Sequence, residues 1–487
     1  MPEAPPATGE TTPQLLLEEH RRPVHRGLVV AAGAAPDRVV PGVLRILAAR
    51  LLVAELAADL SPGVEVLLLE PDLGRTLAAG TGAAGPGAVP AALLAKAARV
   101  LDFHQRLHFG EGPLACTTVP YPVTSGDAQP RGYVRDALAL EQDGAGRLGV
   151  WSCTCGPLAH AAGARALAGH LGVGWRARDV FFEGGNFLAD GGRLFTLADT
   201  RRGNARWRPG TGMALLEQEV ARCGGELIVL DDGWAGDRQP LFHLDLALGF
   251  VQDGQGRTVA LLSSPRLARE LLGPLGRDLD RELDPAALEE LTPPELRRIP
   301  VEQEIARRHA DALTDRLGLL SELARVVGAA AAREKLGRKL NTLLGPTAAL
   351  EEQLRRRREY FRPESLSVLQ RYLDGIGEGL AARGYRVIEL PALLARTDLG
   401  PPAARSRLPR ETPAGSGEGR APLYCPANGL AVHGPGVRQY RAGAGLLPFD
   451  RHVRDALAGL GLDHRPSARA ATFGSNYAGL HCLAQVW

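Results

Sequence analysis

The sequence predicts an α/β (α+β) fold, on two observations. Short apolar runs bounded by turn residues recur along the chain, and helical patterns separate several of them; strands that alternate with helices mark this class. Residues 26–32 (RGLVVAA) and 64–69 (VEVLLL) read as buried strands, with a helix over 43–58 between them. Further apolar runs at 148–151, 180–182, 194–197, 227–230 and 258–262 read as strands. Helical patterns lie over 158–171 and 214–223. The residues themselves show no fixed-period repeat.

The alternation breaks over 284–383. Amphipathic helices are expected at 300–316, 319–344, 348–360 and 365–383, punctuated by Gly345-Pro346 and Arg362-Pro363. Strand character resumes at 386–390 (RVIEL), so the block reads as a helical insertion into one domain spanning 26–487. Such a block could mediate homo-oligomer formation. Residues 1–25 read as a flexible N-terminus. Residues 400–422, rich in Pro, Gly, Ser and Arg, read as a mobile loop. Strand and turn signals return over 423–432.

Composition narrows the function classes. Of 487 residues, 45% are apolar and 23% charged, enough for a substantial core. A formal charge of +2 gives no global field for nucleic acid. The arginine run 355–358 is flanked by Glu351, Glu352 and Glu359, and reads as a solvated, salt-bridged helix face. No apolar run reaches the roughly 18 residues of a membrane span. The first residues lack the basic and apolar regions of a secretory signal, so a cytoplasmic location is expected. The bias toward Ala, Gly, Leu and Arg reads as GC-rich bacterial coding sequence. Six cysteines in a reducing compartment argue against a disulfide framework. Cys153 and Cys155 form a C-x-C pair without a second pair at ligand spacing; they read as small buried residues, and no metal is expected.

Four short motifs place polar side chains inside apolar stretches. Arg135-Asp136 sits in GYVRDALAL, where a structural ion pair is the plain reading. Glu183 and Asn186 sit in FFEGGNF, whose glycines permit a tight turn or close backbone approach. His243 and Asp245 sit in LFHLDLALGFV; two apart on a strand, they would share one face, and taken alone the plain reading is a surface-facing polar edge with the leucines inward, while burial would call for a partner or a use. Cys482 follows His481 in GLHCLAQ. A lone buried thiol is ordinarily inert; it reacts when its pKa is lowered or a base is near.

In this order along the chain, R-D, E-G-G-N, H-L-D and G-L-H-C resemble the guanidino-group-modifying enzymes of the pentein fold: agmatine, arginine and peptidylarginine deiminases and the amidinotransferases. HLD is similar to their H-x-D, and GLHC to the GG-x-H-C of agmatine deiminases and amidinotransferases. VALLSSPR, soon after HLD, resembles a stretch of peptidylarginine deiminases. The likeness covers roughly 132–485, apart from the helical block and the 400–422 loop. Tyr477-Ala478-Gly479 replaces the usual glycine run, Ala484 stands where Thr is common, and YVRDALA lacks the Trp and Gly-Pro of W-x-R-D-x-G-P. These departures bear on the substrate more than on the chemistry.

The resemblance implies a pentein α/β-propeller of pseudo-fivefold ββαβ units. It implies a deiminase that converts an arginine-type guanidinium to a ureido group and ammonia, without cofactor or metal. Cys482 would be the nucleophile, His243 the general acid and base, and Glu183 the group that orients His243. Asp136 and Asp245 would hold the guanidinium, whose fork of N–H donors matches carboxylates; Asn186 would line the site. His481, expected on the opposite face of a strand, has no role in this reading. Cys425, in YCPANG, is expected near the site, also without a role. The substrate class is an arginyl peptide or a small guanidino compound such as agmatine or arginine. The alternatives are an amidinotransferase and a non-catalytic interaction protein on the same fold.

Overall fold

The computed structural model describes residues 14–15, 19–21, 27–31, 39–72, 116–121, 135, 138–142, 147–153, 161–182, 184–222, 225–234, 239–241, 243–273, 363–394, 424–434, 436–467 and 480–486. The first part of the chain forms β1 (Gln14–Leu15), β2 (Gly27–Ala31), α1 (Val39–Asp59), β3 (Glu65–Pro71) and β4 (Thr117–Tyr121). Then come β5 (Ala139–Gln142), β6 (Leu148–Cys153), α2 (Ala161–Leu171) and β7 (Gly174–Arg178). A third stretch gives β8 (Leu188–Asp190), β9 (Arg193–Thr196), α3 (Ala198–Trp207), α4 (Gly212–Arg222) and β10 (Glu226–Val229). Next are β11 (Leu248–Gln252), β12 (Thr258–Ser264), α5 (Pro265–Leu272), α6 (Pro363–Ala381) and β13 (Arg386–Pro391). Last are β14 (Leu430–Gly434), β15 (Val437–Gly443), α7 (Leu447–Ala458), β16 (Asp463–Ser467), α8 (Leu480–Leu483) and β17 (Ala484–Val486).

These strands make five small sheets, and one pairing scheme recurs in all of them. An antiparallel pair comes first: β5–β6, β8–β9, β11–β12, β14–β15 and β17–β2. Helix then carries the chain to a third strand parallel to the middle one: β6–β7, β9–β10, β12–β13, β15–β16 and β2–β3. Parallel neighbours need such a crossover, whereas antiparallel ones accept a short turn. Gly191 and Gly192, at φ 60 and 75, supply the left-handed turn between β8 and β9. At the start of α5, Ser264 caps the helix by accepting from Leu267 N at 3.1 Å, with Pro265 in the first turn.

The mixed α/β class thus matches the expectation, while the repeat unseen in the residues is present in the pairing. One cause is that the crossovers differ: α1, α2, α3 with α4, and α7 are of unequal length and composition. The expected strand at 180–182 is not one. Those residues run into a turn, and Phe182 stacks on Phe187 with ring centroids 4.3 Å apart. The run is apolar because it fills core, and apolarity alone does not separate strand from buried loop. Of the helical block expected over 284–383, α6 matches the last helix; residues 274–362 lie outside the described residues, as does the loop 400–422. Within 1–25, β1 pairs with β5, and His20 is buried against Asp190 at 2.9 Å. No described helix is long and apolar enough to cross a membrane.

One core cluster lies directly behind the last helical turn. Ile46, Leu52, Val53 and Leu56 of α1 pack on Leu28 and Val30 of β2 and Leu68 of β3, and the same cluster includes Leu480, Cys482, Ala484 and Val486. The thiol therefore stands on a turn backed by solid core.

Candidate active site

His243 is extended and leads into a 3₁₀ turn, Leu244–Leu246. Four hydrogen bonds hold this turn and its exit. Ala247 N donates to Leu244 O (2.8 Å), and Ser263 N to Ala247 O (2.8 Å). The Ser263 hydroxyl and the Cys425 thiol both donate to Leu246 O, at 2.8 and 3.1 Å. Across from it, α8 carries His481 and Cys482. It is fixed from behind, where β17 pairs with β2 and Arg135 Nε donates to Ala484 O at 3.0 Å.

Both segments differ from the expected strands. HLD is a 3₁₀ turn and LHCL a single helical turn. On a strand His481 would face away from Cys482; on a helical turn neighbouring side chains diverge far less. That correction changes the role of His481. Its Nδ1 lies 3.0 Å from Asp245 Oδ2, and the same oxygen accepts from Cys482 Sγ at 2.9 Å. An ionised carboxylate only accepts, so His481 carries its proton on Nδ1.

Ligand-capable atoms of His243, Asp245 and Cys482 all lie within 4.8 Å of one another. Exposure is 1% for Cys482, 3% for His243, 0% for Asp245, 6% for His481 and 0% for Asn428. Asp245 Oδ1 is buried and accepts no hydrogen bond among the described residues. Burial alone would push the Asp245 carboxyl up. The hydrogen bond from His481, the positive charge of His481 and His243, and the hydrogen bond from Cys482 outweigh it and hold the carboxyl below its ordinary value. The site is thus a buried anion with one oxygen engaged and one open, beside a thiol and an imidazole.

The motif glycines act by close approach, not by unusual φ. A Cβ on Gly185 would lie 2.5 Å from His243 Nδ1, and one on Gly184 would lie 2.4 Å from Arg135 O. The 3₁₀ turn Gly184–Asn186 therefore sits directly on the His243 ring and on the Arg135 backbone, with Asn186 buried in it. All four sequence motifs converge here. Asp136 and Glu183 lie outside the described residues, although Arg135 and Gly184, their chain neighbours, are both part of the assembly.

Two further side chains in contact with the Cys482–Asp245 pair are absent from the sequence-based set. His481 is one. Asn428, in YCPANG, is the other: its Oδ1 accepts from His481 N (3.0 Å) and Cys482 N (3.4 Å), and its Nδ2 donates to Cys482 Sγ (3.2 Å). The expectation for Cys425 was proximity alone, and the YCPANG segment does touch both the HLD turn and the Cys482 turn. The signal available in the residues was an Asn-Gly in an apolar context, which equally marks an ordinary turn.

His243, Asp245 and Cys482 are also a donor set of the kind that holds zinc with an open position. A metal there would require thiolate and carboxylate both ionised and turned to the ion, whereas here the thiol donates to the carboxylate.

No family model and no curated protein matches the chain. Solved structures similar to it include an agmatine deiminase of C. jejuni, at 12% identity and a TM-score of 0.46, covering 97% of this chain and 96% of that one. Another is an agmatine deiminase of Enterococcus faecalis, at 11% identity and a TM-score of 0.45, covering 99% of each. Superpositions this loose carry no conclusion about chemistry, which rests on the side chains themselves.

Proposed function

We propose that the chain is a Cys-dependent guanidine deiminase of the guanidino-group-modifying class, with its five sheets arranged as a pentein propeller around the site. The observation that carries the reading is the Cys482–Asp245 pair: a thiol hydrogen-bonded to one oxygen of a buried carboxylate whose other oxygen is open. An open, buried, ionised oxygen calls for a cationic donor. A guanidinium is such a donor, and it brings an electrophilic carbon within reach of the sulfur.

The bound cation offsets the negative charge of Asp245, which otherwise opposes thiolate formation at Cys482. Cys482 gives its proton to His243, and the resulting thiolate adds to the guanidinium carbon, forming a C–S bond and a tetrahedral adduct. The His243 imidazolium gives its proton to one amino nitrogen, which leaves as ammonia as the C–N bond breaks. A covalent S-alkylthiouronium remains. Neutral His243 takes a proton from water as the oxygen adds to that carbon. Collapse breaks the C–S bond, the hydroxyl proton of the adduct passes to solvent, and the ureido product leaves with the Cys482 thiolate regenerated. His481 keeps Asp245 ionised and oriented throughout. Glu183 and Asp136, assigned through the resemblance alone, would steady His243 and bind the far side of the guanidinium.

The test is release of ammonia and a citrulline-type product across agmatine, arginine and arginyl peptides, which also identifies the substrate. Cys482→Ala should lower kcat by at least about 10⁴-fold, and unchanged turnover in that variant would sink the mechanism. Turnover that depends on an added amine and releases little ammonia would mark amidino transfer instead. Exhaustive chelation should leave the rate unchanged; loss of activity restored by zinc would point to the metal reading of the same donors.

A further inference from the structure

We propose that Asn428 is a positioning residue for the nucleophile, holding the Cys482 turn with its carbonyl oxygen and stabilising the sulfur's anionic form with its amide N–H. The inference rests on the reading of Cys482 as the nucleophile and adds a residue that none of the four motifs contains.

The geometry leaves little freedom in the assignment. The backbone N–H groups of His481 and Cys482 can only donate, so the side-chain atom 3.0 and 3.4 Å from them must be oxygen. The amide nitrogen is then the atom 3.2 Å from Cys482 Sγ. Asn428 itself is tied down, with its N donating to Cys425 O at 3.2 Å and its O accepting from His481 N at 3.3 Å. The residue is completely buried, so each of these bonds replaces a lost bond to water.

Asp245, His243 and Asn428 are among the side chains at the sulfur. Asp245 Oδ2 accepts its proton and opposes its ionisation. The His243 imidazole, within 4.8 Å, favours ionisation when charged. Asn428 Nδ2 is a neutral donor, so its bond strengthens as the sulfur becomes an anion. His481 acts one step back, through Asp245. Asn428 is thus a group on this sulfur that favours the thiolate without changing its own charge. The same role serves twice in the reaction, on attack and when the thiolate leaves the thiouronium.

The experiment is the pH dependence of Cys482 alkylation by iodoacetamide in the full chain without substrate, followed by mass spectrometry of the Cys482 peptide. In Asn428→Ser a hydroxyl remains for the backbone N–H groups but falls short of Sγ. Its alkylation midpoint should rise by about one pH unit, a tenfold loss of thiolate at fixed pH. Asn428→Asp, which replaces the donor by an acceptor, should shift it further. With a turned-over substrate, kcat should fall about tenfold or more in either variant while KM changes less than about threefold. Midpoints unmoved in a folded variant would overturn the proposal, and Asn428→Ser decides it if Asn428→Asp does not fold. The alkylation readout needs no substrate. A shifted midpoint in a protein that turns over no guanidino compound would leave the role of Asn428 intact and sink the deiminase reading instead.

Discussion

Cys482 and Cys425 are two buried thiols that share one neighbourhood and differ in their direct side-chain partners. Cys425 Sγ donates to Leu246 O and lies 3.6 Å from the Ser263 hydroxyl. Burial pushes its thiol up to about 12; bonds from Ser263 and the Asn428 backbone oppose that rise, and the charge of Asp245 adds to it. Cys116 behaves alike, pushed up to about 11 by burial and then by Glu70. Cys482 is as buried, yet it faces an amide donor, a carboxylate and an imidazole. Burial by itself makes a thiol a small apolar side chain; polar partners turn the same burial into a means of concentrating charge on the sulfur.

The contrast breaks first at Asp245. Asp245→Asn removes the anion that accepts the Cys482 hydrogen bond and that, in the proposed reaction, would hold the substrate cation. Turnover should fall by about 10³-fold in kcat/KM, while alkylation of Cys482 without substrate should become faster at a given pH, because a charge opposing the thiolate is gone. Slower alkylation alongside lost turnover would mean that Asp245 helps to activate the thiol.

A smaller effect is expected at His481. His481→Phe keeps ring volume but loses the donor to Asp245, and kcat/KM should fall by roughly 10- to 100-fold. The direction with pH is set by Asp245, whose carboxyl lies below its ordinary value partly through His481. Without that partner it protonates at higher pH, so the acid limb of the kcat/KM profile should move upward. The same linkage acts on stability: a depressed carboxyl contributes above its unfolded pKa and is lost as pH falls through its folded one. The acid midpoint of unfolding should therefore also rise in this variant. An unchanged acid limb would remove His481 from the site.

The smallest effect belongs to the other sulfur. Cys425→Ala should leave kcat within about threefold and lower stability by about 1–2 kcal/mol, through a small cavity and one lost bond to Leu246 O. A loss of activity comparable to that of His481→Phe, at unchanged thermal stability, would mean that the two thiols are not separate in function.

The residues disclose the scaffold better than the site geometry, for a physical reason. Where one face or one whole strand is buried, as at 64–69 and 258–262, apolar runs have the length of a strand and end at turn residues; β3 and β12 lie where expected. Helices α1, α2 and α4 arise from apolar spacing in the same way. The active-site segments obey no such rule. His243, Asp245 and Cys482 are singled out by the resemblance that their motifs carry as a set, since each alone reads equally as a polar strand edge or an inert thiol. Their backbone was misread because a short apolar run fits a strand, a 3₁₀ turn or one helical turn equally well. A strand would turn His481 away from the Cys482 side, whereas the helical turn lets it reach Asp245. Asn428 could not be singled out, since an Asn before Gly reads as a turn, and only the fold brings it to the sulfur.

The pairing of β17 with β2 has a consequence for how the molecule comes into being. Residues 484–486 lock onto residues 28–30, so the strand that follows the Cys482 turn closes a loop made of all the intervening chain. Contacts between such distant segments form late, because the entropy of closing the loop must be met before they contribute. The parts drawn from residues 135, 184–186, 243–245 and 428 would then be standing before α8 docks among them. Alkylation of Cys482 during refolding would serve as a clock for the last step, because its rate should change when β17 meets β2.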